Sequence, residues 1–210
     1  MGRSGLARLF VAVDVPDAAR EQLAVWGRSA VRAVGALGES RTPPALRSID
    51  PDSIHLTLCF LGSRPVGDIE AAAAVLPGCA AHACELGVGA PVWLPRRRPR
   101  ALAVTIADSD ELVRLHTELR EALAAATGWE PERRRFRAHV TVVRVRGGSR
   151  RRRDGRGGLD SGEITAAALP ATPRLQFLPE TVTLYRSLLD PAGARYEALA
   201  SCRLLPADSG

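Results

Sequence analysis

His55-Leu56-Thr57-Leu58 and His139-Val140-Thr141-Val142 are two copies of one phrase, 84 residues apart, each set in an apolar run. Side chains of a strand alternate between its faces. Within each copy His and Thr therefore share one face, and the two aliphatic residues share the other. A single core histidine is most often a satisfied structural residue. Two in matching His-x-Thr settings are what a symmetric two-histidine acid/base site requires. His82 and His116 lack the pattern and read as structural, His116 beside Leu115 on an amphipathic helix.

At 210 residues the chain suits one sizeable domain, or two small lobes around a shared cleft. No window holds the roughly 18 uninterrupted apolar residues of a membrane span, and the N-terminus lacks a signal-peptide layout. The expected location is the cytoplasm. The four cysteines, Cys59, Cys79, Cys84 and Cys202, show no metal-ligand rhythm and read as reduced thiols. Cys79-Ala-Ala-His82-Ala-Cys84 lacks the fourth ligand that a zinc site needs, so no metal is expected.

All 29 basic residues are arginine, and they are unevenly spread. Between Arg133 and Arg156 there are 11 Arg against one acid, Asp154, which is +10 on a chain of total charge +6. The rest of the chain is net acidic, and the positive charge flanks the second motif. Such a patch fits a polyanion, nucleic acid first. Residues 146–158 (Arg-Gly-Gly-Ser-Arg-Arg-Arg-Arg-Asp-Gly-Arg-Gly-Gly) read as a solvated basic loop without order of its own.

Apolar periodicity predicts a first strand over Leu9–Val13. A helix comes next after Pro16, with Leu23, Trp26, Ala30 and Val34 on one face. Gly35–Pro44 reads as a loop, Ile54–Leu61 as a strand closed by Gly62, and Ile69–Leu76 as a helix ending before Pro77. Strands are expected at Ala83–Val88 and Ala101–Ile106, separated by a proline-arginine loop over Trp93–Arg100. Asp108 and Glu111 make a plausible capping box for a helix that turns Leu112, Leu115, Leu119 and Leu123 inward and stops at Gly128. Phe136–Val145 is the second motif strand. Beyond it come a short helical stretch over Glu163–Ala168 and strands over Thr181–Leu188 and Arg195–Leu204. Strand–helix–strand–helix runs twice. The expectation is an α+β fold of two pseudo-symmetric antiparallel-sheet lobes with helices outside and a central cleft, one His-x-Thr strand from each lobe.

Two imidazoles facing one cleft can divide the work of opening a phosphodiester. One, neutral, takes a proton from water. The other, charged, gives one to the leaving oxygen. The hydroxyls of Thr57 and Thr141 can donate to non-bridging phosphate oxygens. No carboxylate cluster or Walker loop suggests a metal-dependent nuclease or an NTPase.

With Arg8-Leu-Phe-Val-Ala-Val13, His55-Leu-Thr-Leu-Cys-Phe-Leu-Gly62, Arg97-Arg-Pro-Arg-Ala-Leu102, Phe136-Arg-Ala-His-Val-Thr-Val142, Leu184-Tyr-Arg-Ser187 and Gly193-Ala-Arg-Tyr196 in this order, the chain resembles the 2H phosphoesterase superfamily. Within it the chain is most similar to the bacterial RNA 2′,3′-cyclic phosphodiesterases, also called 2′-5′ RNA ligases. The resemblance implies a bilobal fold, no metal or cofactor, and opening of an RNA 2′,3′-cyclic phosphate to a 2′-phosphate. It implies a soluble monomer acting on RNA ends, tRNA fragments among the candidates. It carries the catalytic pair to His55 and His139, with His139 as base and His55 as acid, and the phosphate-holding hydroxyls to Thr57 and Thr141. The chain departs from the family where Ser48 replaces a usual Trp and Ala138 a usual Pro, and its arginine loop is longer.

Strand parity adds Arg137 as a possible RNA contact. It turns Arg144 away with Val140 and Val142, unless a bulge reverses the face. Phe10, Phe60 and Tyr185 are candidates to stack on a base, though each is more often core. Two other readings stay open: an RNA-binding module without catalysis, and a phosphodiesterase for small cyclic nucleotides or a cyclic ADP-ribose phosphate. Changing Arg150, Arg151, Arg152 and Arg153 to Ser should raise KM for a cyclic-phosphate oligonucleotide and flatten its salt dependence. It should leave kcat for a mononucleotide nearly unchanged. Loss of mononucleotide kcat would make the segment part of the catalytic site.

Overall fold

The computed structural model describes residues 5–36, 45–79, 83–96, 99–107, 109–146, 169–190 and 193–205. In chain order the elements are β1 (Leu6–Asp14), α1 (Asp17–Ala36), β2 (Ala45–Ser48), β3 (His55–Pro65), α2 (Asp68–Val75), β4 (Leu86–Leu94), β5 (Ala101–Ile106), α3 (Asp110–Thr127), β6 (His139–Arg146), β7 (Gln176–Phe177), β8 (Thr181–Asp190) and β9 (Gly193–Arg203). The fold is α+β. Residues 146–158 beyond Arg146, the stretch Glu163–Ala168, Asp108 and His82 lie outside the described residues.

The strands run β7-β4-β5-β6-β3-β1-β8-β9, with β2 paired to β6. All pairings are antiparallel. The two expected lobes are thus halves of one continuous path. They meet where the two motif strands meet, and there β3 and β6 share a single residue pair, Leu56 with Val140. Past that point β3 leaves and β2 takes its place along β6, from Ser48 opposite Val143 to Ala45 opposite Arg146. The halves exchange strands: β4 follows β3 in the chain but pairs with β5, and β8 comes late but pairs with β1.

Alternation builds the core. Leu9, Val11 and Val13 of β1, Leu56 of β3, Val104 of β5, Val140 of β6 and Leu184 of β8 belong to one buried cluster with the apolar stripes of the helices. In α1 that stripe is Leu23, Trp26, Ala30 and Val34. In α3 it is Leu112, Leu115, Leu119 and Leu123, a spacing that keeps them on one side of a 3.6-residue helix. The α3 cap is Ser109 rather than Asp108: its hydroxyl accepts the Leu112 N–H at 3.1 Å, and Gly128 closes the helix at φ 63°. Helix α1 packs on β2 and β6 while α3 packs on β3 and α2, so each helix spans from its own half toward the other.

Several boundaries differ from those the sequence suggests. Strand β4 runs through Pro91, Trp93 and Leu94 because a register shift between Val88 and Pro91 accommodates the proline, which donates no hydrogen bond. Strand β3 continues past Gly62, whose φ of 72° falls at another register shift. Strand β2, Ala-Leu-Arg-Ser, is four residues long, too short for its alternation to be read from the sequence.

At Gly27 the α1 backbone comes so close to β6 that a Cβ would sit 3.0 Å from the Val142 carbonyl oxygen. Gly27→Leu, though a better helix former, should therefore destabilise the protein by about 1–3 kcal/mol. Urea unfolding would show a lowered midpoint. A raised midpoint would mean that α1 can move off β6 without cost.

Candidate active site

The Leu56–Val140 pair places both aliphatic side chains in the core at 0% exposure. Their neighbours His55, Thr57, His139 and Thr141 must then rise from the opposite face. Stepping one residue from the pair in an antiparallel register sets His55 across from Thr141 and Thr57 across from His139. The two motifs thus face each other about a local twofold. All four side chains line one cavity of about 660 Å³.

The two imidazoles are anchored identically. Nδ1 of His55 lies 2.8 Å from the Ser53 carbonyl oxygen, and Nδ1 of His139 lies 2.8 Å from the Arg137 carbonyl oxygen. A carbonyl only accepts, so Nδ1 carries the proton in both rings. That leaves Nε2 of each ring as the nitrogen able to take a proton when the ring is neutral and to give one when it is charged. Among the described residues neither Thr57 nor Thr141 has a side-chain hydrogen bond, so both hydroxyls are available to a ligand.

Each motif strand carries an irregularity directly after its threonine. In β3 the register to β1 slips between Val11 and Ala12, opposite Thr57–Cys59, and Leu58 and Cys59 are both buried. In β6 the register to β5 slips between Leu102 and Ala103, opposite Thr141–Val143, and Val142 and Val143 are both buried. Two consecutive inward side chains reverse the parity of the residues after them. Arg144 therefore joins Thr141 on the cleft face, which corrects the simple parity reading that turned it away. Phe60, at the same offset from His55, becomes a cleft residue at 38% exposure with the Arg8 guanidinium 4.7 Å above its ring.

His55 stands against an aromatic wall. Its ring centroid is 4.9 Å from Phe10, and Tyr196 meets it edge-on at 5.0 Å and 90°. Phe10 stacks in turn on Tyr185 at 5.2 Å. At 3% exposure Phe10 has no face left for a base; it shapes and desolvates His55 instead. The Tyr185 hydroxyl donates to Asp14 at 2.7 Å, and the same carboxylate accepts from Thr181 and from Thr183 at 2.7 Å. Burial, then the bond to Asp14, raises the Tyr185 pKa and keeps that hydroxyl protonated. Tyr185 thus belongs to the wall behind His55. Tyr196 is a site residue that sequence reasoning missed; the signal was its place in the family-like segment Gly193-Ala-Arg-Tyr196. Arg137 lies in the cleft as its parity suggested, with Arg100 nearby. His116 also reaches the cavity, stacked on Phe136, which its pattern did not suggest.

Burial pushes the His55 pKa down to about 4 from the usual 6.5. The Ser53 carbonyl and the Asp14 carboxylate oppose the shift, whereas Arg144 and His139 add to it. Among the described residues no three His, Cys, Asp or Glu side chains gather as a metal site. The Cys59 thiol is pushed up to about 12, chiefly by burial, so it is not a nucleophile at neutral pH.

The lowered His55 pKa has a consequence for stability. Between pH 4 and 6.5 the unfolded chain binds a proton at His55 that the folded chain refuses. Stability must therefore rise with pH across that window. The penalty is absent above it and full below it, up to about 3 kcal/mol. His55→Asn should flatten this part of the stability profile in urea titrations. An unchanged slope would place the acid sensitivity elsewhere.

No family model matches the chain. An RNA 2′,3′-cyclic phosphodiesterase of Archaeoglobus fulgidus is 31% identical over 142 residues, covering 66% of this chain and 73% of that protein. An RNA 2′,3′-cyclic phosphodiesterase of Geobacillus stearothermophilus is 26% identical over 205 residues, covering 96% of this chain, which spans 58% of that protein's length. Among solved structures, a Thermus thermophilus protein superposes with a TM-score of 0.69 at 23% identity, covering 95% of this chain and 98% of that one. E. coli LigT complexed with 3′-AMP gives 0.66 at 22% identity, covering 96% and 99%. At these identities the superpositions speak for the fold. No helix among the described residues is long and apolar enough to cross a membrane.

Proposed function

This chain belongs to the RNA 2′,3′-cyclic phosphodiesterase family of the 2H phosphoesterases, and from that membership we propose that it opens the 2′,3′-cyclic phosphate at an RNA 3′ end to a 2′-phosphate, by two-histidine acid/base catalysis without a metal. The observation that carries this reading is the matched pair of imidazoles, each donating from Nδ1 to the carbonyl two residues upstream and both facing one cavity.

In the proposed reaction His139 Nε2 takes a proton from water as the oxygen attacks phosphorus. The P–O3′ bond breaks, and His55 Nε2 protonates the departing 3′-oxygen. Thr57 and Thr141 donate to the non-bridging oxygens, and Arg144 and Arg137 place positive charge beside the anion that develops. A 5′-hydroxyl in place of water, attacking the same phosphorus with the same leaving group, would join two RNA ends by a 2′-5′ bond.

The roles of the two rings have an electrostatic condition. In the free protein His55 is neutral at pH 7 because burial holds its pKa near 4. To serve as the acid it must gain a proton as the anionic phosphate arrives, since a negative charge at close range favours the imidazolium. Binding of a 2′,3′-cyclic mononucleotide to the slow variant His139→Ala near pH 5.5, followed calorimetrically in buffers of different ionisation enthalpy, should show net proton uptake. No uptake would hand the acid role to His139.

His55→Ala and His139→Ala should each lower turnover of a cyclic-phosphate substrate by about 10²-fold or more, measured in excess EDTA. The double variant should cost far less than the product of the singles, because both serve one transition state. A single variant with wild-type activity, or a wild-type activity that EDTA removes and added metal restores, would defeat the mechanism.

A further inference from the structure

Beside the catalytic cavity lies a second hollow of about 400 Å³, between α3 and the segment that leads into β6. The two are not separate. His116, Arg120, Arg134 and Phe136 line both, so the hollow continues the cleft away from the two catalytic histidines. The proposed chemistry leaves this extension unused.

Two of its lining side chains form a planar stack. The His116 imidazole lies on the Phe136 ring with centroids 4.0 Å apart and planes 11° from parallel. The two residues come from α3 and from the segment before β6, so the stack is built by tertiary structure. Burial, then the charge of Arg120, lowers the His116 pKa, which favours the neutral ring. Arg120 follows His116 by four residues and so stands on the same helix face. Arg133 and Arg134 are exposed at the rim. Among the described residues Arg120, Arg133 and Arg134 form no ion pair. Glu132 is the acid at this rim.

A flat neutral ring pair bordered by unpaired guanidinium groups is the combination that holds single-stranded nucleic acid: a π surface for the base and cations for the backbone. A terminal nucleoside whose cyclic phosphate sits between His55 and His139 carries, on its 5′-oxygen, the phosphate of the nucleotide before it. We propose that the His116–Phe136 hollow is a second nucleotide subsite, taking the base of that preceding nucleotide on the His116 ring and its linking phosphate at Arg120 and Arg134. The inference rests on the cyclic phosphodiesterase reading and names its substrate class as the end of an oligonucleotide rather than a free cyclic mononucleotide.

The test compares equilibrium binding of three product-state ligands: a nucleoside 2′-phosphate, the same nucleotide with an added 5′-phosphate, and a dinucleotide ending in a 2′-phosphate. The wild-type protein should bind the dinucleotide about tenfold or more tighter than the nucleoside 2′-phosphate. His116→Ala should remove that preference and His116→Phe should keep it, because a flat ring is what the base needs. Arg120→Gln should weaken dinucleotide binding and reduce its salt slope by about one. Equal affinities in the wild-type protein, including no binding of any ligand, would overturn the subsite. So would a preference that survives His116→Ala, or one matched in full by the 5′-phosphate alone. Turnover of the corresponding cyclic phosphates separates the two readings. A binding preference without turnover keeps the subsite and removes the catalytic proposal. Turnover of the mononucleotide without any dinucleotide preference does the reverse.

Discussion

Two strands that carry the same four-residue phrase touch at one residue pair, Leu56 with Val140, and nearly every feature of the cleft depends on that contact. It fixes the face: because both side chains are drawn into the core, the histidines and threonines must stand on the other side. It fixes the relation of the motifs, since an antiparallel pair centred there brings each His opposite the partner strand's Thr. It also limits the sheet. With only one shared pair, β3 and β6 can diverge, and the opening between the halves becomes a place for a ligand. The helices pack on the two motif strands, α1 on β6 and α3 on β3. The seam is held by apolar burial across the halves rather than by a long ladder of hydrogen bonds.

The irregularities after Thr57 and Thr141 show that the duplication extends past the motifs. Both strands bury two consecutive residues at the same offset, Leu58–Cys59 and Val142–Val143. Both then return the next side chain to the cleft. The returned groups differ: an aromatic ring in one half, Phe60, and a guanidinium in the other, Arg144. Geometry is thus symmetric at the two His-x-Thr motifs and asymmetric just beyond them, where one half offers an aromatic ring and the other a cation.

Charge obeys the same division. Arginines gather on the β6 side and on the segment before it, while the β3 side offers the aromatic wall of Phe10, Tyr185 and Tyr196. His55 is held in its neutral form by that wall and by Arg144, against the pull of Asp14. A carboxylate that accepts from Thr181, Thr183 and Tyr185 is fixed in place by its donors. It keeps a negative charge near His55 without forming an ion pair with it. An anion arriving beside the ring would favour its charged form against the burial that now disfavours it.

The His-x-Thr repeats, their strand parity, the four inward leucines of α3 and the strand–helix order were legible in the residues alone, because each depends on local periodicity and on chemistry that a side chain carries wherever it sits. So were the α+β class and the shared face that brings His55 and His139 into one cavity. Other features needed the folded molecule. Arg144 enters the cleft only because β6 bulges against β5, and a bulge is a property of two strands in register, not of one. Phe10 is a wall and not a stacking platform because β8 and β9, from the far end of the chain, cover it with Tyr185 and Tyr196. His116 faces ligand space because the segment before β6 lays Phe136 on it. Local sequence determines which face a residue takes within its own element; only the packing of distant elements decides what that face meets.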